Sequence, residues 1–155
     1  MDAERTEIGS LGEFGLIAEL TKGMKHNREE THLGVGDDAA VISALPGQRS
    51  LISTDLLCEG IHFDLTYVPL KHLGYKAVVV NLSDICAMNG TPTQIVVGLA
   101  LSNRFSVEAV KELSDGMRLA CERYKVDLVG GDTTSSQAGL VLSVTAMGQA
   151  LPDDI

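Results

Sequence analysis

The sequence predicts an α/β fold of the α+β sandwich kind: a mixed, mostly antiparallel sheet with helices on one face. Three observations predict it. Hydrophobic periodicity switches along the chain between helical and strand spacing, in the order helix, two strands, helix, strand, helix, strand, strand. The apolar 45% is aliphatic, with aromatics at 4% and no Trp, which suits a core of Val, Leu, Ile and Ala. The 155 residues make one domain by length, enough to bury roughly two-thirds of the unfolded surface. Helices on one face leave the other face of the sheet uncovered, and a homodimer that packs sheet on sheet, or completes the sheet into a shared barrel, would cover it.

Residues 1–10 read as a flexible arm. Leu11, Phe14, Ile17, Ala18 and Leu20 recur at helical spacing, so residues 11–24 are expected to form the first helix. Ser10 is its N-cap, and Glu13, three residues later, completes a capping box. Residues 25–32 are charged and polar, a solvated connection. Residues 39–45 are apolar enough for a strand, Pro46-Gly47 turns the chain, and residues 50–54 resume the strand pattern as a hairpin partner. Residues 56–67 mix polar with apolar groups, and Gly60 marks a bend or bulge. Pro69 opens a second helix that runs to an Asn89-Gly90 stop. Residues 93–102 form a β-branched strand, 107–124 an amphipathic helix and 126–129 a short buried strand; a Gly130-Gly131 loop follows, and 140–147 alternate as the last strand. Residues 11–150 are therefore the domain, and 151–155 begin a linker.

Twelve basic against twenty-one acidic residues give a net charge of −9, which repels a nucleic-acid backbone or an anionic membrane. Neither is expected as a partner, and a phosphorylated ligand would need metal ions to mediate. Cys58, Cys86 and Cys121 are far apart and none makes a C-x-x-C pair, so packing roles are expected rather than a zinc site or a disulfide framework. A reduced cytoplasm is the expected compartment, and no apolar run reaches membrane-spanning length.

Four hydrophobic stretches end in acidic tips. Gly34-Val35-Gly36 leads to Asp37-Asp38, Leu51-Ile52 to Ser53-Thr54-Asp55, the apolar run from Val78 to Asn81-Leu82-Ser83-Asp84, and Leu128-Val129 to Gly130-Gly131-Asp132-Thr133. Neighbouring carboxylates repel, so they persist in open solvent or beside a cation. Each stretch alone is equally well a solvent turn, a local cap or a helix pair; their recurrence points to one site. Mg²⁺ takes oxygen donors and is held by one or two carboxylates plus substrate phosphates. Asp38, Asp55, Asp84 and Asp132, assisted by Ser53 and Thr54, are the expected ligands. There is no G-x-x-x-x-G-K-[ST] motif, and Gly34-x-Gly36-x-x-Ala39 leads into a strand rather than the helix a dinucleotide fingerprint requires. Phosphoryl transfer relies on positioning and charge neutralisation, so no covalent catalytic residue is expected.

Together, Gly34 through Val41, Ser53 through Phe63, Lys76-Ala77 through Asp84 and Gly130-Gly131-Asp132-Thr133 resemble the thiamine-monophosphate kinase family, within the superfamily of aminoimidazole ribonucleotide synthetase and selenophosphate synthetase. The resemblance implies phosphorylation of thiamine monophosphate to thiamine diphosphate by direct transfer from ATP, with several Mg²⁺ ions. It implies Asp38, Ser53, Thr54, Asp55, Asp84 and Asp132 as metal ligands, His62 as the contact to the thiamine phosphate, and Gly131, Asp132 and Tyr124 as nucleotide contacts. It further implies a homodimer joined into a barrel and a carboxy-terminal second domain, this chain being the amino-terminal half. Two other readings stay open: a non-catalytic dimeric module that binds Mg²⁺ or nucleotide, and a related ATP-dependent synthetase with another acceptor.

Overall fold

The computed structural model describes residues 6–155. The arm expected over residues 1–10 therefore lies partly outside the described residues. The chain runs α1 (Ile8–Thr21), β1 (Thr31–Leu33), β2 (Val41–Ile42), β3 (Arg49–Cys58), α2 (Leu70–Ala87), β4 (Thr91–Leu101), α3 (Val107–Tyr124), β5 (Asp127–Ser135) and β6 (Val141–Ala150), then a 3-10 turn (Pro152–Asp154). Strand order in the main sheet is β3-β6-β4-β5, antiparallel except for the parallel pair β4 and β5. The mixed α/β architecture is thus the one the periodicity predicts.

Alternation explains how the sheet divides its faces. Leu57 of β3, Ile95, Val97 and Leu99 of β4, and Leu142, Val144 and Ala146 of β6 are buried, in register with one another, beneath the helices. α2 adds Leu73, Ala77, Val78 and Ile85 to this core, and α3 adds Val110, Leu113 and Met117. The two helices approach so closely that a Cβ on Gly116 would stand 1.9 Å from the Lys71 carbonyl oxygen. The opposite face carries Ile52 and Leu56 of β3, exposed at 72% and 55%, along with Ser143 and Thr145 of β6. No element among the described residues packs over it in strength comparable to the helix layer.

Several expectations need correcting. α1 begins at Ile8, three residues before the expected start and inside the expected arm, and Gly12 interrupts its helical backbone at φ 68°. That break removes the capping box: Ser10 Oγ donates to the Glu7 carbonyl instead. The hairpin expected between residues 39–45 and 50–54 does not form. Only Val41–Ile42 is strand, paired with Thr31–Leu33 in the stretch expected to be a connection. β3 is claimed by β6 over ten residue pairs, while Leu45 N donates to Gln149 Oε1 and Ser43 N to the Glu30 carbonyl. β5 runs straight through the Gly130-Gly131 expected as a loop, because Gly131 lets β4 approach: a Cβ there would meet the Val97 carbonyl oxygen at 2.1 Å. Cys86 is exposed rather than packed.

Candidate functional site

The acidic residues are not strand tips. Asp55 sits within β3, Asp132 within β5 and Asp84 in the last turns of α2, so sheet and helix surfaces hold them rather than loop ends. Helical spacing puts Asn81 and Asp84 on one side of α2, facing β3. Asn81 is fully buried; its Nδ2 donates to the Ala77 carbonyl at 2.9 Å and its Oδ1 accepts the Asp55 backbone N–H at 3.0 Å. Ser53 Oγ donates to Asp84 Oδ2 at 2.9 Å. Ser53 and Asp55, two apart on the strand, both face α2. The β3–α2 edge therefore gathers Ser53, Asp55 and Asp84 as oxygen donors fit for a hard divalent cation. Thr54 points the other way, its Oγ1 3.0 Å from Thr145 Oγ1 and donating to the Val144 carbonyl at 3.1 Å.

His62 stands in the turn that closes β3. Its Nδ1 accepts the Cys58 N–H at 3.0 Å, so the neutral ring carries its proton on Nε2. Lys76 of α2 donates to the His62 carbonyl at 3.3 Å, bringing a cation to the same edge. Glu59 on this turn pairs with Arg104 and accepts the Leu140 N–H at 2.9 Å.

The remaining candidates lie elsewhere. Asp132 occupies β5 at the opposite edge of the sheet, three strand spacings from β3, or roughly 14 Å. It pairs with Gly98, so it shares the uncovered face, whereas Asp55 faces the helices. Asp37 and Asp38 are exposed on the β1–β2 connection, where Asp38 N donates to Asp37 Oδ1 at 2.9 Å. Tyr124 ends α3 and leans on Tyr75 of α2 with ring centroids 6.4 Å apart, in the helix layer. Among the described residues no three of His, Cys, Asp or Glu converge as a metal cluster.

One group escaped sequence reasoning. Asp127, 2% exposed, accepts Asn27 N at 2.5 Å, Asn27 Nδ2 at 3.2 Å and Arg28 N at 3.1 Å, while Arg28 donates to the carbonyls of Lys125 and Pro92. This clasp anchors the segment that leads into the Asp37-Asp38 connection. In sequence Asp127 is merely a polar residue before an apolar run, and its partners lie about a hundred positions away.

Residues 36–150 match the family described as AIR synthase related protein, N-terminal domain. The thiamine-monophosphate kinase of Bacillus subtilis (strain 168) is 37% identical over 139 residues, covering 90% of this chain and 42% of the relative. Two solved structures are similar. The thiamine-monophosphate kinase from Stenotrophomonas maltophilia K279a is 32% identical with TM-score 0.72, over 87% of this chain and 40% of that one. AaThiL complexed with AMPPCP and TMP is 34% identical with TM-score 0.64, over 97% of this chain and 45% of that one. The chain spans less than half the length of each of these relatives.

Proposed function

This chain belongs to the AIR synthase related protein family as an N-terminal domain, and on that premise we propose that it is the metal- and nucleotide-binding half of a thiamine-monophosphate kinase. In this proposal the γ-phosphoryl group of ATP passes directly to a phosphate oxygen of thiamine monophosphate. The new bond joins that oxygen to the γ-phosphorus, the bond from the γ-phosphorus to the β-bridging oxygen breaks, and ADP leaves. Residues 11–150 are the binding domain, and 151–155 start the link to the remainder of such a protein.

The observation that carries the proposal is the β3–α2 edge, where Ser53 Oγ is hydrogen-bonded to Asp84 Oδ2 beside Asp55 on one side of the strand. These oxygens, and Asp38 from the β1–β2 connection, would hold Mg²⁺, which neutralises the phosphate charge of both substrates. Asn81 fixes β3 against α2 and so sets the spacing between Asp55 and Asp84. His62, protonated on Nε2, would donate to the acceptor phosphate of thiamine monophosphate. The test is thiamine diphosphate formation from ATP, Mg²⁺ and thiamine monophosphate by a protein carrying this chain and the further length of its relatives. Product formation is expected, and its absence overturns the kinase.

A homodimer would complete the site. Among the described residues both edge strands, β3 and β5, lack an outer neighbour in the sheet, and Ile52 and Leu56 expose apolar surface on the open face. Two copies closing edge to edge into a barrel would bury that face and leave no free edge. If β3 of one copy meets β5 of its partner, Asp55 and Asp132 come to adjoining strands, Asp55 on the helix face and Asp132 on the inner face of the joined sheet. Gly131 and Asp132 would meet the ATP phosphates. The free thiols of Cys58, Cys86 and Cys121 and an ATP co-substrate support a cytoplasmic setting.

A further inference from the structure

His62 sits in a turn whose internal bonds fix its shape. His62 N donates to the Cys58 carbonyl at 2.9 Å, Gly60 N to the Phe63 carbonyl at 2.8 Å, and Cys58 N to His62 Nδ1 at 3.0 Å. Buried Phe63, and the Lys76 bond to the His62 carbonyl, hold the far side of the turn. The near side is held by Glu59. Its N–H donates to the Leu140 carbonyl at 3.0 Å and its Oε2 accepts the Leu140 N–H at 2.9 Å, so the residue grips the entry to β6 twice. Arg104, in the connection from β4 to α3, pairs with the same oxygen, and its guanidinium lies 5.1 Å from the Phe105 ring centroid. Gly139 makes room for the carboxylate: its φ is 85°, and a Cβ there would stand 2.9 Å from Glu59 Oε2. One carboxylate thus joins the segments that follow β3, β4 and β5.

We propose that Glu59 is a positioning residue for the acceptor phosphate, acting through His62, and that Arg104 cancels the Glu59 charge; the proposal rests on the kinase reading above. Cys58 carries the coupling. It directly precedes Glu59, and its N–H is the donor to which the imidazole is anchored, so loosening the Glu59 grip tilts the ring and re-aims Nε2–H. Hydrogen bonds weaken steeply with misalignment, and the contact to phosphate weakens with them. A bare carboxylate three residues from His62 would also repel a phosphate. The Glu59 side chain is 18% exposed, which limits screening by solvent, and the guanidinium supplies the compensating charge.

Histidine nitrogen NMR of this chain, at mildly alkaline pH, reads the imidazole directly. The parent should show a proton held on His62 Nε2 and a hydrogen-bonded Nδ1. Glu59→Ala should shift both nitrogens toward the mixed tautomers of a free imidazole, whereas Glu59→Gln, which keeps an acceptor for the Leu140 N–H, should retain the parent signature. In the longer protein, Glu59→Ala should raise KM for thiamine monophosphate about tenfold or more, with kcat and KM for ATP held within about twofold, and Glu59→Gln should restore the parent value. Arg104→Ala leaves the grip but bares the charge. It should raise the same KM about two- to fivefold beside Glu59 and not at all in the Glu59→Gln background. An unmoved His62 spectrum in Glu59→Ala, or KM values for both substrates that rise together, overturns the positioning role. An equal effect of Arg104→Ala in both backgrounds overturns the charge role, even where Glu59→Ala does not fold. Absence of thiamine diphosphate formation by the unsubstituted longer protein sinks the kinase alone, and the His62 spectrum still judges the grip.

Discussion

The two edges of the main sheet carry the same residue type in different states of preparation. At the β3 edge, Asp84 Oδ2 is held by Ser53 Oγ, and the Asp55 backbone is held by a fully buried Asn81, so the fold of one chain fixes the Asp84 carboxylate and the strand that carries Asp55. At the β5 edge, Asp132 is exposed, lies on the uncovered face, and has no side-chain hydrogen bond or ion pair among the described residues. A pre-organised edge needs only its ligand, because the cost of ordering the side chains is met during folding. An open edge needs another surface to complete it. In the proposed dimer that other surface is the partner's β3 edge.

The largest effects should come from the carboxylates themselves. In the longer protein, Asp55→Asn and Asp132→Asn should each lower kcat by about a hundredfold or more, with urea denaturation midpoints close to the parent, since the first relieves repulsion from Asp84 and the second removes no side-chain bond. Retained turnover in either variant would assign that edge a structural role only. Stability should separate the edges next. Asn81→Leu removes the acceptor for the Asp55 N–H and the donor to the Ala77 carbonyl, and should cost about 1–3 kcal/mol in denaturant unfolding. Asp132→Asn, which breaks no such bond, should stay within about 0.5 kcal/mol. Equal losses would erase the distinction between a built edge and an open one.

The smallest effect lies away from both edges and serves as their control. Glu108, in the first turn of α3, takes the Thr6 N–H at 3.2 Å, and its hydrogen bonds to Thr6 hold its carboxyl down at about 2. A depressed carboxylate contributes stability above the unfolded value of 4.5, and the contribution is lost as pH falls from there through about 2. Carboxyl NMR should show Glu108 titrating near 2, with the Thr6 amide losing its bonded shift over the same range. Asp55 and Asp132 have no such tie to the segment before α1, so their variants should leave this titration unmoved.

The sequence made the scaffold more legible than the site. Periodicity located α3 to the residue and α2 closely, because Leu73, Ala77, Val110, Leu113 and Met117 recur on one face of each helix. It failed where a partner distant in sequence decides the outcome. Residues 39–45 are apolar enough for a hairpin strand, yet β3 pairs with β6, and Gln149 takes Leu45, contacts about a hundred positions apart. Gly130-Gly131 looks like a loop until the neighbouring Val97 carbonyl explains why a strand there must lack a side chain. Among the candidate ligands, the recurring acidic motifs include Ser53, Asp55 and Asp84, which one strand and one helix bring together. Spacing along the chain carries no information on which face or edge a residue occupies, so the distance between Asp55 and Asp132 was invisible.

The most direct test of a site shared between copies mixes two inactive proteins. Asp55→Asn and Asp132→Asn versions of the longer protein are unfolded together, refolded and assayed for thiamine diphosphate. If β3 of one copy works with β5 of its partner, half of the dimers carry both variants and each of those has one intact site of two, so activity should return to roughly a quarter of the parent level. A mixture as inactive as its two components would contradict the shared site and place Asp55 and Asp132 in the service of the same chain.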